Sequence, residues 1–368
     1  MRLVWATVTA VLAGTGSAQR LEIDLDDGTA GPAVAYPSLS GRCAVGDRIV
    51  INTTAVDLGL GTGGIHFVVA RALAGRGVIL DQPSGGHVMK LRYTPLQVDV
   101  LAVEEQASPH HDTMSEATDL TGMPVACCGL HSQVPLVAAA VKQADPALRV
   151  AYVMTDFASL PLGLSEVVHA SLKAGLLDTT ISSGQAFGGE HEAVNLHSAL
   201  LAARHVVHAD VAIVSIGPGV VGTATPFGHG GVAQGEAVNA AGCLGGVPVV
   251  ALRLSFADER SRHRAVSHHS LIALSRIALT PALVPVPHLP EEQAREVDDA
   301  LVTSAALEHH RRVDVGSASS GVPDLRGVHV TTMGRSLADD PAFFTAAFAA
   351  GEVCARVARG EVFMPRGT

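Results

Sequence analysis

Residues 210–252 read DVAIVSIGPGVVGTATPFGHGGVAQGEAVNAAGCLGGVPVVAL. An apolar run, Val211–Ile216, enters a glycine-rich turn, a helix-like stretch follows near Val232–Leu244, and a second apolar run closes at Leu252. Neither run alternates, so both read as strands buried on two faces, which is the habit of parallel sheets. The same alternation extends to either side. Pro124–Cys128, Arg149–Met154 and Thr179–Ser182 read as strands. Helices are expected at Val134–Gln143, Ser165–Lys173 and near Asn195–Val207. A tail adds a helix at Glu291–Leu307, strands at Arg312–Val315 and Val328–Thr332, and an Ala-rich helix at Asp340–Arg359. Repeated β-α units of this length predict an α/β fold over residues 123–368, a Rossmann-like, doubly wound and mostly parallel sheet.

Residues 1–95 have another texture. Short strands separated by Gly, Pro and Asp predict a small antiparallel, β-barrel-like domain, joined to the sheet by a connecting segment, 96–122. Leu58–Gly64 reads as a loop between two of these strands. Met1-Arg2 followed by LVWATVTAVLAG has the outline of a secretory signal. The two threonines and the alternation of Leu21-Glu-Ile-Asp-Leu-Asp26 favour a β-hairpin instead.

Composition narrows the function classes. With 48% hydrophobic and only 16% charged residues, the chain can bury a large core. A net charge of −10 with no basic stripe argues against nucleic acid as a partner. Despite a mean hydropathy of +0.32, no apolar stretch reaches membrane-helix length, so no membrane partner is expected. The five cysteines form no C-x-x-C, which points to reduced thiols in a cytoplasmic protein.

Gly217-Pro-Gly-Val-Val-Gly222 matches the dinucleotide pattern G-x-G-x-x-G in letters. It departs from the pattern in context. Pro218 removes an N–H, Pro226 delays the helix, and the first acid beyond the next strand is Asp258, far past the usual spacing of about 20 residues. NAD is therefore not expected. What remains is a loop rich in N–H groups that can cradle an anion, with Gly217, Gly219, Gly222, Thr223 and Thr225 as candidate ligand-binding residues. After Val247–Leu252 comes a cluster of Arg260, Arg262 and Arg264, due at the same sheet edge. Arg262 and Arg264 are candidates for pairing a phosphate or carboxylate. The bland alternatives are a structural crossover loop and a solvated arginine loop.

Histidine, at 18 residues, is twice as frequent as Phe and falls mainly at expected loops. His131, Asp156, His268 and His269 are candidate catalytic residues, as acid/base groups or ligands to a divalent metal. Gln185 is a candidate ligand contact, and His110 and His111 are candidate metal ligands. A single metal site requires His110, His131, Asp156 and His268 to converge. His191-Glu192-x-x-Asn195 lacks the second histidine of a zincin, and Gly129-Leu-His-Ser-Gln133 is not a nucleophile elbow. His197, His205 and His208 read as helix-surface residues.

Seven stretches carry a resemblance. They are Asn52–Gly64, Leu91–Gln97, Ser108–Asp112, Ala151–Asp156, Gly184–Gly189, Val266–Ser270 and Thr332–Arg335. In this order they resemble a bacterial family known as domain of unknown function 3866. The resemblance covers nearly the whole chain and brings no activity, cofactor or catalytic residue. It implies that the position of His229 is often occupied by other residues, so it gives His229 no catalytic role. The residues themselves point to an enzyme, a hydrolase or transferase, that acts on a small anionic or phosphorylated metabolite at the C-terminal edge of the sheet. A non-catalytic ligand-binding protein and a structural homo-oligomer are the alternatives, and a homo-oligomer is expected in either case.

Overall fold

The structure, a computed structural model, describes residues 2–15, 17–59, 64–72, 85–316 and 322–363. The expected loop Leu58–Gly64 lies partly outside them. The chain packs as two units, one containing residues through Leu101 together with Leu162–Glu166, the other Ala102–Pro161 and the chain from Val167 onward.

In the first unit, β1 (Leu3–Thr15) and β2 (Ala18–Leu25) form the hairpin that the alternation predicts. Three further strands follow: β3 (Ala30–Ala35), β4 (Arg48–Asn52) and β5 (His66–Arg71). Short helices α1 (Pro37–Ser40) and α2 (Thr54–Asp57) lie in the connections. Strand order β1-β2-β3-β5-β4 closes on itself, with β3 and β5 the parallel pair. This is the strand order of an OB-type barrel. Ala6, Val8, Leu21, Ile23, Ile49 and Ile51 point inward and are fully or almost fully buried. Closure leaves no strand edge unpaired. A two-stranded ribbon, β6 (Val88–Lys90) and β7 (Val98–Val100), completes the unit.

The second unit opens with α3 (His111–Glu116), inside the segment expected only to connect. It then alternates through β8 (Pro124–Cys128), α4 (Val134–Ala144), β9 (Val150–Thr155), α5 (Glu166–Lys173) and β10 (Thr179–Ser183). Next come β11 (His191–Ala193), α6 (Leu196–His205), β12 (Val211–Ile216), α7 (Val232–Cys243) and β13 (Val247–Ala251). A short pair, β14 (Leu254–Ser255) and β15 (Ala265–Val266), leads into α8 (His268–Ile272). The chain ends with β16 (Leu283–Pro287), α9 (Glu291–Thr303), β17 (Arg311–Val315) and α10 (Pro341–Ala358). Eight strands form one all-parallel sheet in the order β11-β10-β9-β12-β8-β13-β16-β17, a Rossmann-like α/β architecture.

Strands β8, β9, β10 and β12 are buried at every residue because helices cover both faces. Val328–Thr332, expected as a strand, is not one. Only an isolated bridge joins Thr332 to Arg335, and β17 ends the sheet. The edge strand β11 was not foreseen, because Glu190-His-Glu192 has the polarity of a loop. Among the described residues no helix is long and apolar enough to cross a membrane.

Chain order fixes where the sheet opens. From β8 the chain crosses through α4 toward β9, whereas from the neighbouring β12 it crosses through α7 to β13 on the other side. Right-handed crossovers place these two helices on opposite faces, so a crevice opens beyond the C-terminal ends of β8 and β12.

Helix α10 approaches α4 through Gly351, where an added Cβ would lie 2.3 Å from the Val137 carbonyl oxygen and 2.7 Å from Ala140 Cβ. Gly351→Ala is expected to destabilise this unit by about 1–3 kcal/mol through overpacking. The check is a lower urea midpoint at unchanged m; an unchanged midpoint would refute the close approach.

Candidate functional site

The crevice is held open by two buried amides. Gln133 Oε1 accepts from the N–H groups of Gly129 and Leu130, at 3.0 and 3.1 Å, and its Nε2 donates to the carbonyls of Ala251 and Leu252. Gln234 Nε2 donates to the carbonyls of Cys127 and Ala251, both at 2.9 Å, and its Oε1 accepts from Ser270 Oγ. The strand ends of β8 and β13 are thereby pinned together. Gln133 sat inside a stretch read for its histidine, and Gln234 carried no local signal.

Between the Leu130–Ser132 turn, the Gly217–Val220 loop and the segment His329–Met333 lies a cavity of about 300 Å³. His131 stands in its wall. Its Nδ1 lies 3.2 Å from both the Ile216 carbonyl and the Tyr152 hydroxyl. Donation to the carbonyl assigns the proton to Nδ1 and the lone pair to Nε2. Burial pushes this imidazole down to about 4, so it is neutral at pH 7. The N–H groups of Gly219 and Val220 have no acceptor among the described residues. Gly219 adopts φ +84°, a left-handed conformation suited to glycine. Gly217 has no room for a side chain, since a Cβ there would meet the Ser159 carbonyl at 2.3 Å.

Asp156 follows β9 and is clamped rather than open. Its Oδ2 accepts the Gln185 backbone N–H at 2.8 Å, and a Cβ on Gly184 would lie 2.4 Å from that oxygen. Gln185 thus meets Asp156 through its backbone. Glu236 on α7 is exposed, its carboxyl raised by partial desolvation and by the Asp156 charge.

The distal half of the glycine loop folds on itself. Gly222 bridges to His229, Thr223 Oγ1 donates to the Gly228 carbonyl at 2.9 Å, and Thr225 Oγ1 accepts the Gly228 N–H at 3.0 Å. The Thr223 and Thr225 hydroxyls, assigned to a ligand from the sequence, are spent on this turn.

That turn carries His229 to a second group. His229 and His269 stack at 3.9 Å between centroids, His268 lies 4.4 Å from His269, and His263 packs 5.1 and 5.0 Å from the last two. His229, His263 and His269 are buried and His268 is half-buried. Desolvation is the main force holding all four neutral, taking His263 to about 3 and His269 to about 2 and lowering His229 and His268. Ser267 caps α8 by accepting the His269 N–H, and its Oγ also meets His263 Nδ1 at 2.8 Å. Sequence reasoning found His268 and His269. It gave no role to His229 or His263, which only the folding of two loops brings to them.

The arginine loop is largely neutralised. Arg260 grips Asp258 at 2.9 and 2.8 Å, and Arg253 and Arg335 face the same carboxylate at 3.6 and 3.5 Å. The Arg260 hydrogen bonds hold Asp258 far below the usual carboxylate range, while burial pulls Arg253 down to about 10. Arg264, expected on an anion, points to the surface, where the Glu296 carboxylate of α9 accepts from its Nε and Nη2 at 3.0 and 2.9 Å. Arg262 is exposed, close enough to His268 to lower it.

Convergence of His110, His131, Asp156 and His268 does not occur. His110 lines a different cavity, with Arg149, Asp178, Thr179 and His191, at the N-terminal ends of β9 and β10. His111 Nδ1 bonds the Glu104 carbonyl at 2.8 Å. The loop before β8 necessarily lies at the edge opposite the loops that follow the strands.

The profile of a family described as "Protein of unknown function (DUF3866)" matches residues 32–351. No curated protein matches the chain.

The His131 environment has a pH signature. Above pH 6.5 this imidazole is neutral in both folded and unfolded chains. Between 6.5 and about 4 only the unfolded chain takes up the proton, so stability falls as pH drops. Chemical denaturation across that window is expected to show a shallower decline for His131→Gln than for the native protein; parallel curves would contradict the buried, neutral imidazole.

Proposed function

The chain belongs, by that match, to the DUF3866 family, and within it we propose an enzyme, a hydrolase or transferase, acting on a small anionic metabolite. The observation that carries this reading is the cavity at the topological switch point, with the unpaired N–H groups of Gly219 and Val220 and neutral His131 in its walls. Ligands of open α/β sheets bind at this place in the topology. A volume near 300 Å³ suits a small metabolite. The free N–H groups and the N-terminal end of the helical segment that starts at His131 favour a phosphate or carboxylate.

His131 serves as the general base in this reading, taking a proton on Nε2 from water or a substrate hydroxyl while the Ile216 carbonyl holds Nδ1–H in place. A bound anion raises the proton affinity of the imidazole from its low resting value toward the working range. Asp156 keeps the Gly184–Gln185 turn beside the crevice rather than reacting. The unpaired state of all five cysteines supports a reducing, cytoplasmic setting.

A thermal-shift screen of the full chain against phosphate, sugar phosphates, nucleotides and dicarboxylates tests this proposal. An anion at about 100 times its Kd should stabilise by about 2.7 kcal/mol. His131→Gln should keep that binding and lower turnover at least about 100-fold. Stabilisation without turnover in the native protein would replace the enzyme with a binding protein. No stabilising anion at all would overturn the ligand reading.

A further inference from the structure

We infer that His229, His268 and His269 form a binding site for one divalent transition-metal ion. This inference stands apart from the metabolite cavity and survives if that reading fails. One potential ligand atom from each residue lies within 4.8 Å of the other two. Zn–N bonds are about 2.0–2.1 Å, so loading the site requires His268 to rotate and the stacked rings of His229 and His269 to tilt out of parallel until all three lone pairs meet one ion.

Unmet hydrogen bonds cluster in this group of histidines. His229 Nδ1, His268 Nε2 and His269 Nδ1 are all shielded from water and lack a partner. Buried polar atoms are ordinarily satisfied, and three orphaned nitrogens in one packed group call for a common acceptor of their lone pairs. For His229 the tautomer follows from the structure: Nε2 lies 3.0 Å from the Pro226 carbonyl, donates to it, and leaves the lone pair on Nδ1. A backbone carbonyl on the far nitrogen is the support that metal-bound histidines use. His263, held by Ser267, walls the group and acts as a positioning residue.

A glycine records the same requirement. Gly231 precedes α7 in a right-handed helical conformation that any residue adopts. Yet a Cβ there would lie 2.8 Å from His269 Cβ and 2.9 Å from His229 Nδ1. The histidines, not the backbone, exclude a side chain.

The donor set selects the ion. Three neutral imidazoles with no carboxylate suit zinc, copper, nickel or cobalt and offer little to magnesium or calcium, which need oxygen. Arg253, Arg260 and Arg262 add positive charge near His268, and the first two are offset by Asp258. Three ligands leave one position of a tetrahedral ion open to water or an anion.

The test uses the full chain after chelator treatment. Co²⁺ titration followed by visible absorption, with elemental analysis of the Zn²⁺-loaded protein, is expected to give one equivalent and an intense tetrahedral band. His268→Ala, the variant least costly to folding, and Gly231→Ala should each weaken binding at least 10-fold with native circular dichroism. His110→Ala should bind as the native protein does. Less than half an equivalent in the native protein would overturn the site, and so would native affinity in a folded His268→Ala.

Discussion

Two neighbouring strands send the chain in opposite directions, and the site depends on that constraint. Because β8 feeds a crossover toward β9 while β12 feeds one toward β13, the helices that follow cannot share a face. The strand ends between them stay uncovered in a sheet whose central strands are otherwise buried on both faces. The amides of Gln133 and Gln234 convert this gap into fixed geometry by donating to the carbonyls of Cys127, Ala251 and Leu252 at the strand ends. His131 follows the Gly129–Leu130 segment held by Gln133, and the α8 histidines adjoin Ser270, which Gln234 holds.

The glycine loop joins two kinds of chemistry. Its first limb presents backbone N–H groups to the cavity, and its second folds back through Gly222 and Thr223 to deliver His229 to the α8 histidines. Glycine is needed on the second limb for space and at Gly219 for its positive φ. A composition that mimics a dinucleotide fingerprint therefore has another origin, in close packing around imidazoles and a turn at a strand end.

The sheet was legible because a parallel strand buried on both faces leaves an unbroken apolar run, and Pro124–Cys128, Val150–Thr155 and Val211–Ile216 all do. Val328–Thr332 has the same β-branched character, but β17 already ends the sheet and the segment pairs with no strand. Strand β11 escaped notice because a three-residue edge strand keeps polar side chains. The site was legible only by position. Residues after strands gather at one edge, so His131, Asp156 and His268 were placed there, while His110, before a strand, fell at the other. Which side chains meet was not legible. Arg264 finds an acid 32 residues away, and His229 finds a partner 40 residues away through two loops.

The most direct measurement is a crystal structure of the protein with the anion that stabilises it most. The account predicts density against the Gly217–Val220 loop with His131 beside it, at the C-terminal ends of β8 and β12. Density instead beside His110 and His191, at the opposite edge of the sheet, would contradict it.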